Sequence, residues 1–178
     1  LPVGQSRAPW QKKPSDVVSY FASRTQPDTI FQPSESVRSI SVGALNPPNT
    51  SQMQDAPTVY STRGPGLQVG VKPDVAAYGG AGGVGPGNST GLKSITPTGI
   101  SQDVAGTSFA APLISRLLAG LDRDTQGGLG SEALRAMLLH HSNIPDPLTK
   151  RGMKDIGLQF AGYWQPTSVA HMLQTDDH

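Results

Sequence analysis

Apolar positions along this chain are short-ranged and interrupted, and where they tighten they change period. Over 37–45 the run Val-Arg-Ser-Ile-Ser-Val-Gly-Ala-Leu becomes nearly continuous toward its end, which predicts a strand buried on both faces. Further strands are expected over 58–61, 69–76 and 100–104. Beyond these the period lengthens. Leu113, Leu117, Leu118 and Leu121 recur at helical spacing and predict a buried stripe. Ser15 is placed to cap a helix over 16–23, with Val17, Val18, Tyr20 and Phe21 as its apolar positions. Ser131 is placed to cap another helix reaching about His141, and Thr167 or Ser168 to open a last one ending near 174. The stretches 25–35, 46–57 and 78–98 read as loops, with a turn at Gly64-Pro65-Gly66. Strands alternating with helices predict an α/β layer.

Composition narrows the class. The 178 residues are enough for one compact domain with a real core. With 35% hydrophobic and 15% charged residues, the chain resembles neither a disordered segment nor a membrane protein. No apolar run approaches the ~20 residues of a membrane span. The net charge of +1, without a basic stripe, argues against a nucleic-acid partner. The absence of cysteine excludes a disulfide framework and a thiol nucleophile. The run Gly79-Gly80-Ala81-Gly82-Gly83-Val84-Gly85 lacks the Gly-Lys-Ser/Thr ending of a phosphate-binding loop and has no helix directly after it, so it reads as a surface loop. The chain begins at Leu1 with neither an initiator methionine nor a signal peptide, and is read as a fragment.

The candidate chemistry sits in Gly106-Thr107-Ser108-Phe109-Ala110-Ala111-Pro112. Pro112 lacks an N–H and is tolerated in a first helical turn, so a helix is expected to start near Thr107 or Ser108. Gly106 allows a sharp turn before it, and Ala110 and Ala111 allow close packing on a sheet. Ser108 then stands at the positive end of the helix dipole beside free N–H groups, which suits a nucleophile whose attack creates an oxyanion. Spacing alone equally allows Ser108 or Thr107 to be a simple N-cap.

Four segments follow one another in a recognisable order: Ser41-Val42-Gly43-Ala44-Leu45-Asn46, Tyr60-Ser61-Thr62-Arg63-Gly64-Pro65, Lys72-Pro73-Asp74-Val75-Ala76-Ala77, and the Ser108 motif. Together they resemble the subtilisin-like serine proteases, the subtilases. Further on, 134–140 resembles an Arg-Ala-Leu-Leu-Val-His helix of some bacterial members, and Gly162-Tyr163-Trp164-Gln165-Pro166 is loosely similar to the family's Gly-x-Gly-x-Pro turn. The resemblance runs from about Ile40 to Leu121 and more faintly to the end, while residues 1–36 carry none of its segments. It implies an α/β fold, a subtilisin-like parallel sheet with packed helices. Residues 1–178 would be the C-terminal portion of the catalytic domain. It also implies a serine endopeptidase with Ser108 as nucleophile, Gly106 and Thr107 as its supporting motif, and a protein or peptide substrate. Asp74 would be structural and His140 a helix residue outside the catalytic set.

A serine hydroxyl needs a base, itself oriented by an acid. Subtilases carry these as Asp, then His, then Ser, with an oxyanion asparagine in an Ala-Gly-Asn segment. None of the corresponding segments precedes Ser108, and the histidines, His140, His141, His171 and His178, all follow it. Asp103 lies close in sequence but has no histidine to orient. The base, acid and side-chain oxyanion donor are therefore expected in a missing N-terminal part, which becomes a required partner, and the isolated chain is expected to be inactive. Family members often bind calcium, but no loop with clustered acids is visible, so no metal or other cofactor is expected. Two other readings compete. One is a subtilase-like binding module without catalysis, which the retained Gly106-Thr107-Ser108 disfavours. The other is a lipase-type hydrolase, whose Gly-x-Ser-x-Gly fails here at Ala110.

Overall fold

A computed structural model describes residues 30, 32–48, 54–64, 71–81, 91–143, 158, 161–163 and 165–174. The helix expected over 16–23 and the turn at Gly64-Pro65-Gly66 lie wholly or partly outside them. Strands β1 (Val42–Leu45) and β2 (Val75–Tyr78) are hydrogen-bonded and parallel, with Val42 opposite Val75 and Leu45 opposite Tyr78. Both are shorter than their sequence patterns suggested. Ahead of β1 the chain turns twice, with the Ser36 N–H donating to the Pro33 carbonyl at 3.0 Å and the Ser39 N–H to the Ser36 carbonyl at 3.3 Å. Serines favour such local bonds over a ladder. Ahead of β2, Lys72 and Asp74 are engaged by side-chain bonds described below.

The outer edge of β1 is closed without a strand, contrary to the expectation for 58–61. The Asn46 N–H donates to the Ala56 carbonyl at 2.8 Å, the Thr58 N–H to the Ala44 carbonyl at 2.9 Å, and the Ala44 N–H to Ser61 Oγ at 3.0 Å. Only Leu45 and Pro57 form a bridge there. Proline cannot extend a ladder, and an irregular segment takes over the pairing.

The Gly-rich loop expected over 78–98 contains a strand. β3 (Leu92–Ile95) pairs antiparallel with β4 (Ser101–Val104) in a hairpin whose turn is held by Thr96, the Thr96 N–H donating to the Ile100 carbonyl at 2.9 Å. Gly99 sits at φ +81°, a conformation that favours glycine. Alternation over only four residues, exposed or half-buried throughout, leaves little pattern to read.

Helix α1 (Thr107–Asp124) packs on both parallel strands and begins where the motif predicted. Its buried line is Ala110, Ile114 and Leu121, with Leu117 and Leu118 partly covered. The expected stripe is thus displaced by one position at its start: Ile114 enters the core and Leu113 is 41% exposed. Ala110 sets this phase, because Ala44, Ala77 and Ala110, all nearly inaccessible, let helix and sheet backbones approach closely. Pro112 is six residues into α1, past the first turn. It removes the N–H that would close on the Ser108 carbonyl, so the helical ladder has a gap there. Helix α2 (Ser131–His140) adds Leu138 to the core; Gly130, rather than Ser131, is its N-cap residue, and no side chain bonds across that end. A small pair, β5 (Ser142–Asn143) with β6 (Gln165–Pro166), and helix α3 (Val169–Met172) complete the described fold. Ser168 caps α3 through the His171 N–H at 3.3 Å, as its sequence position suggested.

One polar cluster ties these elements together. Lys72 is fully buried; its Nζ donates to Asp74 Oδ2 at 2.6 Å and to the Ser39 carbonyl at 2.9 Å. The same carboxylate oxygen accepts from the Ser41 N–H at 2.8 Å and lies 3.0 Å from the Ser41 hydroxyl. Arg135 of α2 donates to Asp74 Oδ1 at 2.6 Å and also to the Val37 carbonyl. The Asp74 carbonyl accepts from the Tyr163 N–H at 2.8 Å. Gly162 lies at φ +57°, and a Cβ there would sit 2.2 Å from the carbonyl oxygens of Pro73 and Asp74. Asp74→Asn keeps the side chain's shape but leaves a buried ammonium without its counter-charge. The expected loss is about 3–5 kcal/mol of unfolding free energy, measured by denaturant titration. A loss below about 1 kcal/mol, the range of exposed pairs, would contradict the role given to this cluster.

Candidate active site

Ser108 is the second residue of α1 and is exposed. Neither it nor Thr107 is the helix cap. Gly106 occupies that position, and no side chain bonds across it, so the simple capping reading of either hydroxyl fails. The Phe109 N–H donates to the Gly106 carbonyl at 3.0 Å and the Ala110 N–H reaches the same oxygen at 3.4 Å. Thr107 and Ser108 precede these bonds. Their N–H groups have no intrahelical acceptor and stand at the positive end of an 18-residue helix.

The turn carrying Ser108 is anchored to the carboxyl end of the parallel pair. The Gly79 N–H donates to the Leu45 carbonyl at 3.1 Å, continuing the β1–β2 ladder by one step, and the Gly79 carbonyl accepts from the Gly106 N–H at 2.8 Å. The carboxyl ends of parallel strands are where α/β sheets commonly place their sites. Space is tight. A Cβ on Gly79 would lie 2.6 Å from Ala44 Cβ and 3.1 Å from the Gly106 carbonyl oxygen. Gly80, at φ +85°, backs directly onto Val104 and Ala105. The Tyr60 hydroxyl lies 2.6 Å from the Gly79 carbonyl oxygen and 2.5 Å from that of Gly80. Burial pushes this phenol above its ordinary value of 10.0. Tyr60, Gly79 and Gly80 were not singled out as site residues from sequence, although Tyr60 opens the quoted Ser-x-Arg-Gly-Pro segment and Gly79 comes two residues after the quoted segment ending at Ala77.

The remaining candidates lie elsewhere. Asp103 is on the exposed hairpin, where it pairs with Lys93 at 2.5 Å. His140, His141 and His171 form a row of edge-to-face rings, with centroids 5.0 Å and 6.0 Å apart. His171 belongs to α3, whose Val169 packs against Gly120 of α1. Gly120 is twelve residues beyond Ser108, about 18 Å along the helix axis. The histidine row is therefore at the far end of α1 from the serine, outside the ~3 Å reach of a base. A groove of about 630 Å³ between α1 and α3, lined by Leu113, Arg116, Leu117, Gly120, Arg123 and Val169, also excludes Ser108. Among the described residues, no group of three or more His, Asp or Glu is placed to hold a metal ion.

This arrangement of a parallel pair, a glycine turn and a serine in the first turn of a sheet-packed helix is that of a subtilisin-like fold. The family model of the subtilases matches residues 15–163, and the chain belongs to that family. Solved structures are similar to it in fold, among them two proteases. The Clostridium perfringens CspB protease matches with a TM-score of 0.60 and 22% identity, over 83% of this chain and 28% of its own. The patellamide maturation protease PatA matches with a TM-score of 0.53 and 18% identity, over 88% of this chain and 53% of its own. The chain thus spans about a quarter of the first and about half of the second. Among curated proteins, none matches.

Gly106 carries a local test. Its φ of +153° is unfavourable for a residue with a side chain, yet a Cβ would meet nothing closer than the Phe109 ring at 3.5 Å. Gly106→Ala should therefore act through backbone strain alone, destabilising the chain by about 1–3 kcal/mol, read as a lowered thermal midpoint. An unchanged midpoint would mean that this turn is not under the constraint described.

Proposed function

We propose that this chain is the C-terminal portion of a subtilase catalytic domain and supplies the nucleophile of a serine endopeptidase. Ser108 Oγ attacks the carbonyl carbon of a peptide bond, and its proton passes to a histidine base outside this chain. The C–N bond breaks, the amine leaves with that proton, and water hydrolyses the resulting ester. The Ser108 N–H provides one donor to the oxyanion, and an asparagine outside this chain provides the other. Gly106 and Thr107 support the serine by setting the turn and the first helical residue. The part of the domain that holds base, acid and asparagine is a required partner, and the substrate is a protein or peptide. The observation that carries this reading is the placement of Ser108, an exposed serine in the first turn of α1, at the carboxyl end of the parallel pair, within a subtilase match.

Two outcomes test it. The isolated 178-residue chain should hydrolyse peptides no faster than background, because no histidine among the described residues is placed as a base at Ser108. In the full-length protein, Ser108→Ala should lower turnover by several orders of magnitude. Stability should change by less than about 0.5 kcal/mol, since the side chain is exposed and caps nothing. A folded full-length Ser108→Ala variant that retains the parental rate would remove the assignment. A binding module without catalysis would show no turnover in either form.

A further inference from the structure

We propose that the Tyr60 hydroxyl is a positioning group for Ser108, acting by clamping the two carbonyls on which the nucleophile's turn is hung. The inference rests on the reading of Ser108 as nucleophile. Two carbonyl oxygens, from Gly79 and Gly80, converge on one hydroxyl at 2.6 Å and 2.5 Å. Carbonyls that converge in this way repel each other unless a donor stands between them. The O–H of Tyr60 supplies that donor. The Gly79 carbonyl is also the acceptor of the Gly106 N–H at 2.8 Å, so its position sets that of Gly106. Gly106 in turn accepts the first bonds of α1, and Ser108 is two residues further on. The path from phenol to nucleophile is therefore two hydrogen bonds and one tight turn.

Two features make a hydroxyl at this point more than packing. The Tyr60 ring is already held against the core, next to the cluster of Ala44, Val75 and Ala77. A Cβ on Gly79 would lie 2.9 Å from the phenol oxygen, so the glycine leaves the space in which the hydroxyl reaches both carbonyls. Its raised pKa keeps it a protonated donor throughout the neutral and mildly alkaline range. Tyr60→Phe keeps the ring and leaves the Gly106 N–H as the one remaining donor among those named. The Gly80 carbonyl can then swing, and Gly79 and Gly106 with it. Displacing a nucleophile by even a fraction of an ångström slows chemistry far more than it weakens binding.

The test uses the full-length protein with three changes: Tyr60→Phe, Ser108→Ala, and 3-fluorotyrosine at position 60, which keeps the hydroxyl but ionises at lower pH. Peptide hydrolysis is measured as kcat per titrated active serine and as KM. Tyr60→Phe is expected to lower kcat roughly tenfold with KM changed less than about twofold. The fluorotyrosine protein is expected to keep the parental kcat at neutral pH and to lose it at lower pH than the parent on the alkaline side, because a phenolate cannot donate to the carbonyls. An unchanged kcat per active serine in Tyr60→Phe, or an unshifted alkaline limb in the fluorotyrosine protein, with Ser108→Ala inactive, overturns the positioning role alone. If Ser108→Ala remains active, the nucleophile assignment and this inference fall together.

Discussion

Asp74 divides its carboxylate between two cations and a backbone amide. Oδ2 takes the Lys72 ammonium and the Ser41 N–H; Oδ1 takes Arg135. Ser41 leads into β1, Lys72 and Asp74 lead into β2, and Arg135 lies on α2. One side chain therefore fixes the start of both parallel strands and the helix that packs beside them. Burying a lysine completely is costly unless its charge is met and its protons are used. The charge is met here and two of the three N–H groups have named acceptors, which makes the cluster intolerant of losing any one member. The Asp74 carbonyl also receives the Tyr163 N–H, and the adjacent Gly162 fits only because it has no side chain. Residues far apart in sequence thus meet on one short segment.

What the cluster fixes at the start of the strands is used at their other end. β2 is four residues long, so the step from Asp74 to Gly79 is short and stiff. Gly79 continues the ladder, Gly106 hangs on Gly79, and α1 begins there. The alanines of both strands and Ala110 let α1 lie close to the sheet, which aligns its amino end with the strand termini. Ser108 is presented to solvent by this frame without contributing to it, the condition under which a reactive group can be changed at little cost in stability.

Much of this was legible in the sequence because its signals were local or motif-borne. The start of α1, the parallel β1–β2 pair and the structural role of Asp74 followed from short apolar runs and from the four subtilase-like segments. Other features depended on distant partners. The exposed β3 had no alternation strong enough to read through the glycines around it. Ala110 rather than Leu113 set the phase of α1, because what mattered was how closely the backbone could approach Ala44 and Ala77. Gly106 caps α1 by conformation, and the threonine and serine that follow it resemble capping residues in sequence. Tyr60 appeared only as part of a motif; its link to Gly79 and Gly80 spans about twenty residues and shows no periodicity.

The most direct measurement is to map where an active-site-directed phosphonate attaches. The full-length protein would be treated with a fluorophosphonate, digested and read by mass spectrometry. The expected result is a single stoichiometric adduct on the peptide containing Ser108, with the isolated 178-residue chain labelled slowly if at all. Stoichiometric labelling of a different serine in the full-length protein, with Ser108 unmodified, would contradict the assignment of the nucleophile.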